Sequence, residues 1–582
     1  MTTTIPSTPD GTAVDAAPLP DPRALDRLLA ESAVPGGAFS PAVLADLDAR
    51  EAFPAEACRT LDAFGLPRYY VPVEHGGALD DFSTVLRLLR AVSRVDLTVA
   101  AAHGKTYLGA ISTWIAGDPD RAARLGRRIG EGAVVSCALT ERHHGSDLLA
   151  GEVTARETDR GWRITGEKWL INNITRADLI TVLARTDPAG GPRGFSLFLV
   201  DKSRLAPGAL TPLPKVPTYG IRGADISGMV FHDTLVPSDA LIGEVGRGIE
   251  IILKALHVTR TGCVAMSLGA GDHALDLAAR FTTAATDHEG VPLAELPHVR
   301  REVGEATAAL LLAEATGLVA ARAVHALTPE MSVVSAVAKA YVPAQVDDLV
   351  ARLLHTLGPY GLLEADTHGS FAKLERDHRI IGIFDGSSLV NRNALVDQFA
   401  RLARGYRKGR LDEEGLAEAT DVRAPLRPFR PQALSLLSGT GASVLAGLPA
   451  AVDRVHDLAA AGAASDGLAR LAGRLRQATD RLHEEMAAVR FTPRAVPGHA
   501  FELAERFELC FAAAAALHLW LHRPDRVEEA WLRGCLVKAL TDLGEPVEDS
   551  AREDLDTLAD ALLSAAPGTV PSLLDSLEGT VR

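Results

Sequence analysis

The chain has 582 residues, of which 47% are hydrophobic and 23% charged, and its net charge is −15. That length has room for several domains and a large core, and the composition is that of an ordinary globular protein. The acidic balance, without a basic stripe, argues against binding to nucleic acid.

Residues 1–22 are acidic and rich in Thr, Pro and Ala. They lack the apolar centre of a secretory signal and the Arg-rich face of a transit peptide, so a disordered leader is expected. Residues 23–132 read as a helical domain. Leu25, Leu28 and Leu29, then Val43, Leu44 and Leu47, then Cys58, Leu61 and Phe64 recur at helical spacing, and Phe82, Val85, Leu86, Leu89 and Val92 form a stripe. From 133 to 248 the texture changes. Short β-branched or alternating runs at 133–139, 151–156, 162–168, 179–185, 194–200 and 226–232 are separated by turn residues, which predicts a compact, barrel-like β domain. Residues 249–404 return to long Ala/Leu-rich helices at 249–281, 298–327 and 333–357, of the kind that bury much of their surface in a bundle. Residues 405–430 are charged and Pro-punctuated, as linkers are. A helical extension, 431–582, follows, with helices at 431–448, 451–490, 500–521, 526–543 and 551–566. Its apolar helix 501–521 needs a partner surface, either the main body or another subunit. The fold class expected is mainly α with a central β domain: a helical domain, a barrel-like domain, a four-helix bundle and a helical tail.

Cys58, Cys137, Cys263, Cys510 and Cys535 lie far apart, and none forms a CxxC pair. Their odd number disfavours a disulfide framework and suits a reducing cytoplasm. No metal site is expected. No run reads as long and charge-free enough to span a bilayer; the most apolar, 510–521, is short and contains His518.

One stretch carries chemistry: Arg376-Asp377-His378-Arg379-Ile380-Ile381-Gly382-Ile383-Phe384-Asp385-Gly386-Ser387-Ser388-Leu389-Val390-Asn391-Arg392. A basic helical run passes into an apolar, strand-like patch, then an acid, a glycine and two hydroxyls. A new helix then begins, with Ser387 or Ser388 as its N-cap. Such a turn holds one carboxylate at a helix start beside apolar residues that keep water out, as a general base requires. Taken alone, the plainer reading is a capped helix start.

The stretch has company. The β domain opens with Cys137-Ala138-Leu139-Thr140-Glu141-Arg142-His143-His144-Gly145-Ser146-Asp147 and continues with Thr165-Gly166-Glu167-Lys168-Trp169-Leu170-Ile171-Asn172-Asn173. Gly194-Phe195-Ser196-Leu197-Phe198-Leu199-Val200 and Gly220-Ile221-Arg222-Gly223-Ala224-Asp225 come next. In this order, over residues 41–402, the series resembles the acyl-CoA dehydrogenase family. The tail is similar to that of very-long-chain members and acyl-CoA oxidases. The resemblance implies FAD as cofactor and an acyl-CoA or carrier-protein-bound acyl thioester as substrate. It also implies an electron-transfer flavoprotein as partner and a homodimer or homotetramer. The reaction implied is α,β-dehydrogenation: a carboxylate removes the α-proton, the β-hydrogen leaves as hydride to the flavin, and fixed donors polarise the thioester oxygen.

Residue by residue, the resemblance places Asp385 at the base, where the family has Glu, and Arg260 facing the active site. A structural ion pair would equally suit a buried Arg260. Leu139 and Thr140 meet the flavin ring. Ser146 lies near either the thioester arm or the flavin phosphates. Leu170 takes the usual aromatic position and Asn172 replaces a threonine, donating through its amide, while Trp169 either compensates or points into the core. Ser387 and Leu389 join the cofactor contacts. Phe384 and Gly386, with Ser146 and Arg260, contact substrate. His355, in place of a Gln, and Gly358 belong to the turn at the dinucleotide end. In the family's pyrophosphate turn, Thr286 stands at the Arg position and Glu289 at the Phe position.

Asp385 is one methylene shorter than the family's Glu. A base must come within about 2.6–3.2 Å of its proton, and a misplacement of ~1 Å costs about a hundredfold. Three outcomes are open on the sequence: a closer backbone, a bulkier or carrier-bound substrate, or loss of dehydrogenation. Thr259 offers no substitute Glu. An oxidase using O2 is the alternative enzyme, and a hydroxylase a further one. Asp385, Thr286, His355 and Leu170 also suit a catalytically silent homologue that acts as a binding partner.

Overall fold

The computed structural model describes residues 21–363, 370–492, 495–523, 529–548 and 553–574. All but the last two residues of the expected leader lie outside them. Six helices open the chain: α1 (Ala24–Ser32), α2 (Pro41–Ala49), α3 (Ala55–Phe64), α4 (Phe82–Val95), α5 (Leu97–Ala116) and α6 (Pro119–Gly130). The last three begin at aspartates. Asp81, Asp96 and Asp118 each accept a backbone N–H from the first turn, which satisfies a donor the helix cannot. The expected stripe of α4 is buried from Phe82 to Val92.

Eight strands follow: β1 (Val135–Ala138), β2 (Thr154–Thr158), β3 (Gly161–Asn172), β4 (Leu179–Arg185), β5 (Phe195–Asp201), β6 (Leu210–Leu213), β7 (Ile226–Val236) and β8 (Leu241–Ile242). They form one mixed sheet in the order β6-β7-β3-β2-β4-β5-β8, with β1 parallel to β4. The sheet has its own core, which includes Ile164, Val182, Phe198 and Phe231. β6 and β8 were not expected. β6 carries Pro212 on a largely exposed edge, and β8 is two residues long, so neither shows the alternation that marks a strand.

α7 (Gly248–Ala284), α8 (Pro297–Ala326) and α9 (Met331–Leu357) pack on one another, and α4 lies against α7 and α8. By length and composition α7 and α8 would each suffice to cross a membrane, contrary to the sequence reading. Their most apolar windows are 83% and 100% buried inside the protein, as in core helices. α10 (Phe371–His378), α11 (Ser388–Val396) and α12 (Phe399–Arg407) complete this part.

The tail is α13 (Glu413–Thr420), α14 (Ser443–Ala446), α15 (Leu448–Ala460), α16 (Asp466–Ala488), α17 (Gly498–Leu521), α18 (Glu529–Asp542) and α19 (Glu553–Leu563). Three expectations are corrected here. The supposed linker contains α13, which Asp412 caps by accepting from Gly415 N. The helix expected at 431–448 is largely irregular. The helix expected at 451–490 breaks after Ala460, where Gly462 takes φ 75°. The apolar α17 finds its partners within the chain, against α8, α9, α11 and α16. Buried Glu314 of α8 accepts from Arg90 of α4, from Ser572 Oγ and from the backbone of Leu573 and Leu574, tying the far end of the described chain to the bundle. All five cysteines are free.

Candidate active site

The run that leads into Asp385 is held from three sides. Arg376 Nη2 donates to Asp48 of α2 at 2.8 Å. Asp377 accepts from Lys373 at 2.6 Å, from Thr98 of α5 at 3.0 Å and from the backbone N–H of Ile221 at 2.5 Å. His378, fully buried, joins Asp347 of α9 at 2.7 Å and Ser267 of α7 at 3.0 Å. Helical domain, sheet region and bundle thus meet at α10. The approach is close: a Cβ on Gly220 would lie 2.0 Å from Arg376 O. The apolar patch that follows is not a strand. Ile383 and Phe384 both donate backwards to Ile380 O, so it coils into a turn, and no described strand lies alongside to pair with it.

Asp385 and Gly386 then take φ 56° and 94°, in the left-handed region. Asp tolerates this better than most residues. Several groups fix the turn. Lys339 of α9, fully buried, donates to Ile381 O at 2.7 Å and to Gly386 O at 3.1 Å. Asn391 Nδ2 donates to Gly386 O and Ser387 O, both at 2.9 Å. Ser387 is the N-cap of α11, accepting from Val390 N. The half-buried Asp385 carboxylate turns towards α7, where Cys263 Sγ donates to Oδ2 at 3.5 Å. Burial first, and Asp385 second, push the Cys263 thiol well above its ordinary pKa, so it stays protonated and remains a donor. Among the described residues, nothing accepts from the Asp385 backbone N–H.

Arg260 lies beside this turn, buried, with Nε 3.4 Å from Asp385 O and Nη1 3.3 Å from Ser335 Oγ. Among the described residues it makes no salt bridge, so the structural ion pair open on the sequence is not what the fold builds. Burial lowers its pKa to about 10, opposed by Asp385. His257, one turn back, is held down at about 3 by burial and by Arg260, and is therefore neutral.

The sheet carries a second group of the expected site residues. Lys168 reaches back from β3 to Leu139 O at 2.8 Å and to Glu141 at 2.7 Å. Glu141 in turn accepts from the backbone of Glu152 and Val153, and Trp169 N donates to Thr140 O. Leu139 and Thr140 are thus set rigidly at the end of β1. After burial, the charge of Asp385 helps push the Cys137 thiol on β1 up to about 11. A register shift in β3 puts Leu170 at φ 62° and leaves it 44% exposed, while Trp169 packs under the Arg142 guanidinium at 4.7 Å. Asn172 Nδ2 donates one of its two N–H groups to Ala101 O at 2.9 Å. Its Oδ1 is a buried acceptor with no partner among the described residues.

Phe384 is half-buried under Lys339, whose Nζ is 5.8 Å from the ring centroid. Leu389 is 64% exposed, and Ser146 sits exposed in the turn after β1. His355 and Gly358 are not brought to Asp385. His355 lies sixteen residues beyond Lys339 on α9, about 24 Å along the helix, and Gly358 follows the end of that helix. Cys263, Lys339 and Asn391 were missed on the sequence. Their signals were there: Cys263 is three residues after Arg260 on the same helical face, and Lys339 is a lone charge in an apolar helix.

A flavin ring suits what is left open here. Asn172 Oδ1 is an unfilled buried acceptor, and Leu170 and Leu389 are uncovered apolar side chains.

Comparisons with known proteins agree. Residues 136–234 match the acyl-CoA dehydrogenase middle domain and residues 246–399 the acyl-CoA dehydrogenase C-terminal domain. A probable acyl-CoA dehydrogenase of Mycobacterium leprae is 27% identical over 64% of this chain and 92% of its own. The human mitochondrial short-chain specific acyl-CoA dehydrogenase is 28% identical over 63% and 86%. The crystal structure of a Bacillus anthracis acyl-CoA dehydrogenase complexed with FAD shares the fold over 96% of this chain and 93% of its own, tail included, with TM-score 0.65 at 18% identity. The chain thus carries, in this order, regions similar to the middle and C-terminal domains of the acyl-CoA dehydrogenase family.

Proposed function

We propose that the protein is an FAD-dependent oxidoreductase that dehydrogenates the α,β bond of an acyl thioester, on CoA or a carrier protein, with Asp385 as the base. One observation carries this. Among the described residues only a thiol donates to the half-buried Asp385 carboxylate, and the buried cation Arg260 lies beside its turn. FAD, when bound, supplies the hydride acceptor. Leu139, Thr140, Leu170, Asn172, Ser387 and Leu389 are the residues proposed to hold it, with Ser146, His355 and Gly358 towards its dinucleotide end.

The chain's own groups then have defined tasks. Asp385 takes the α-proton through a carboxylate oxygen. Its backbone N–H donates to the thioester oxygen, where negative charge develops. Arg260 steadies the turn through the Asp385 carbonyl and places a buried cation beside it. Cys263 and Lys339 hold the carboxylate and the turn in place. Phe384 and Gly386 line the acyl side. The same reading gives an electron-transfer flavoprotein as oxidant and a homodimer or homotetramer as the working assembly.

The test is anaerobic mixing of the flavin-loaded protein with a panel of acyl-CoA and acyl-carrier thioesters. At least one bleaches the flavin, and Asp385→Asn loses bleaching while staying yellow. Unchanged bleaching in that variant assigns the base elsewhere. A protein that takes up no FAD on titration removes the enzymatic reading altogether, and stoichiometric peroxide in air moves it to the oxidases.

A further inference from the structure

The tail beyond residue 404 contributes nothing to the site as described, yet it is joined to the catalytic turn at one buried point. α11 starts three residues after Asp385. Its Arg392 reaches across to α17, donating through Nε to Glu508 Oε1 at 3.0 Å and through Nη2 to Oε2 at 3.2 Å. Nη1 meets Glu505 of the same helix. Glu508 is 1% exposed. The residue before Arg392 is Asn391, whose amide holds Gly386 O and Ser387 O. One helical turn therefore connects the base's own loop to the tail. From the opposite side Lys339 grips the same Gly386 carbonyl.

A two-pronged guanidinium–carboxylate contact fixes orientation as well as distance. A buried ion pair is a poor device for stability alone, because apolar side chains of the same volume do as well or better. We propose that the C-terminal extension sets the position of the catalytic turn through this contact, so that Arg392 and Glu508 are positioning residues for Asp385. The proposal rests on the reading of Asp385 as base.

The contact also has a charge state that can be read. Burial pushes the Glu508 carboxyl up to about 7, against the pull of Arg392, and Glu505 on the same helix adds to the rise. Tyr341 on α9 also feels the Glu508 charge, and burial keeps that hydroxyl neutral. A glutamine at 508 therefore mimics the wild type on the acid side of this value and departs from it on the alkaline side.

The experiment uses the full-length, flavin-loaded protein as wild type, Glu508→Gln, Arg392→Lys and Arg300→Ala. The last cuts the Arg300–Asp560 contact, which also joins bundle to tail but away from the turn. Three quantities are measured: the anaerobic flavin-reduction rate at saturating thioester, KM, and amide hydrogen exchange across residues 381–391. Glu508→Gln is expected to lower the rate about ten- to a hundredfold at about pH 8, as a misplacement on the order of 1 Å would. KM should stay within about twofold, the deficit should shrink towards about pH 6, and exchange across 381–391 should rise about tenfold. Arg392→Lys, which keeps the charge and loses the fork, should show the same pattern and serves if Glu508→Gln does not fold. Arg300→Ala should show none of it. A wild-type rate in Glu508→Gln, or an equal deficit in Arg300→Ala, overturns the proposal. If no thioester reduces the wild type, the base reading fails by itself. Exchange then decides the tail's role: a rise in Glu508→Gln supports the hold on the turn, and unchanged exchange overturns it.

Discussion

At the scale of single residues, the chemistry turns on how a short carboxylate is supported. Cys263 donates to Asp385 Oδ2 at 3.5 Å. Cys263→Ala removes that donor and should slow flavin reduction by about tenfold or less, with little loss of thermal stability. An unchanged rate would show that the thiol does not bear on the proposed base. Lys339 has a heavier task, since Ile381 O depends on it and Gly386 O is shared between it and Asn391. Lys339→Met leaves the Ile381 carbonyl without its donor in a buried site. The expected cost is about 1–3 kcal/mol, read as a lower melting temperature together with slower flavin reduction. Asp385 itself was legible in the sequence, because an acid before Gly-Ser-Ser is a local pattern. The tie of Asn172 to Ala101 O was not, because that partner lies 71 residues away on α5.

At the scale of elements, α10 is the joint. It is short, yet Asp48, Thr98, Ile221, Asp347 and Ser267 from five separate segments hold its last three residues. Gly220 makes room for it. Gly220→Ala would place a methyl against the Arg376 carbonyl, where no flexible side chain can yield. Such overpacking typically costs about 1–3 kcal/mol. The variant should melt at a lower temperature and reduce its flavin more slowly, and a variant indistinguishable from wild type in both would mean that α10 can move without consequence. Long elements with strong periodicity, α7 to α9 and α17, were readable to within a few residues. Short or locally ambiguous ones were not. β8 has two residues, α13 hides in a charged stretch, and the run 451–490 looks continuous in composition although Gly462 breaks it.

At the scale of the molecule, burial sets a pH response. His257, His483 and His518 are buried, and burial holds their pKa values at about 3, 4 and 4, below the ordinary 6.5. A histidine with a depressed folded pKa binds its proton more readily when unfolded. Its contribution is complete above about pH 6.5 and is lost as the pH falls towards 4, at up to about 1.4 kcal/mol per pH unit for each group. The melting temperature should therefore drop between pH 7.5 and pH 5, conditions about one unit above and more than one below that threshold. A flat profile there would mean the three rings are accessible to protons in the folded state. The tail belongs to the same cooperative whole, since Glu314 of the bundle takes three hydrogen bonds from residues 572–574.

What the sequence by itself determined was the fold class, the order of its parts, and Asp385 as the acid in the decisive turn. These follow from periodicity, turn residues and ordered motifs, all of which are local. What the tertiary structure decided was how that acid is held. Cys263, Lys339 and Glu508 reach the turn or its flanking helix from 122, 47 and 116 residues away. Contacts at such separations arise from the packing of α7, α9 and α17 around one loop, and no local pattern in the chain specifies them.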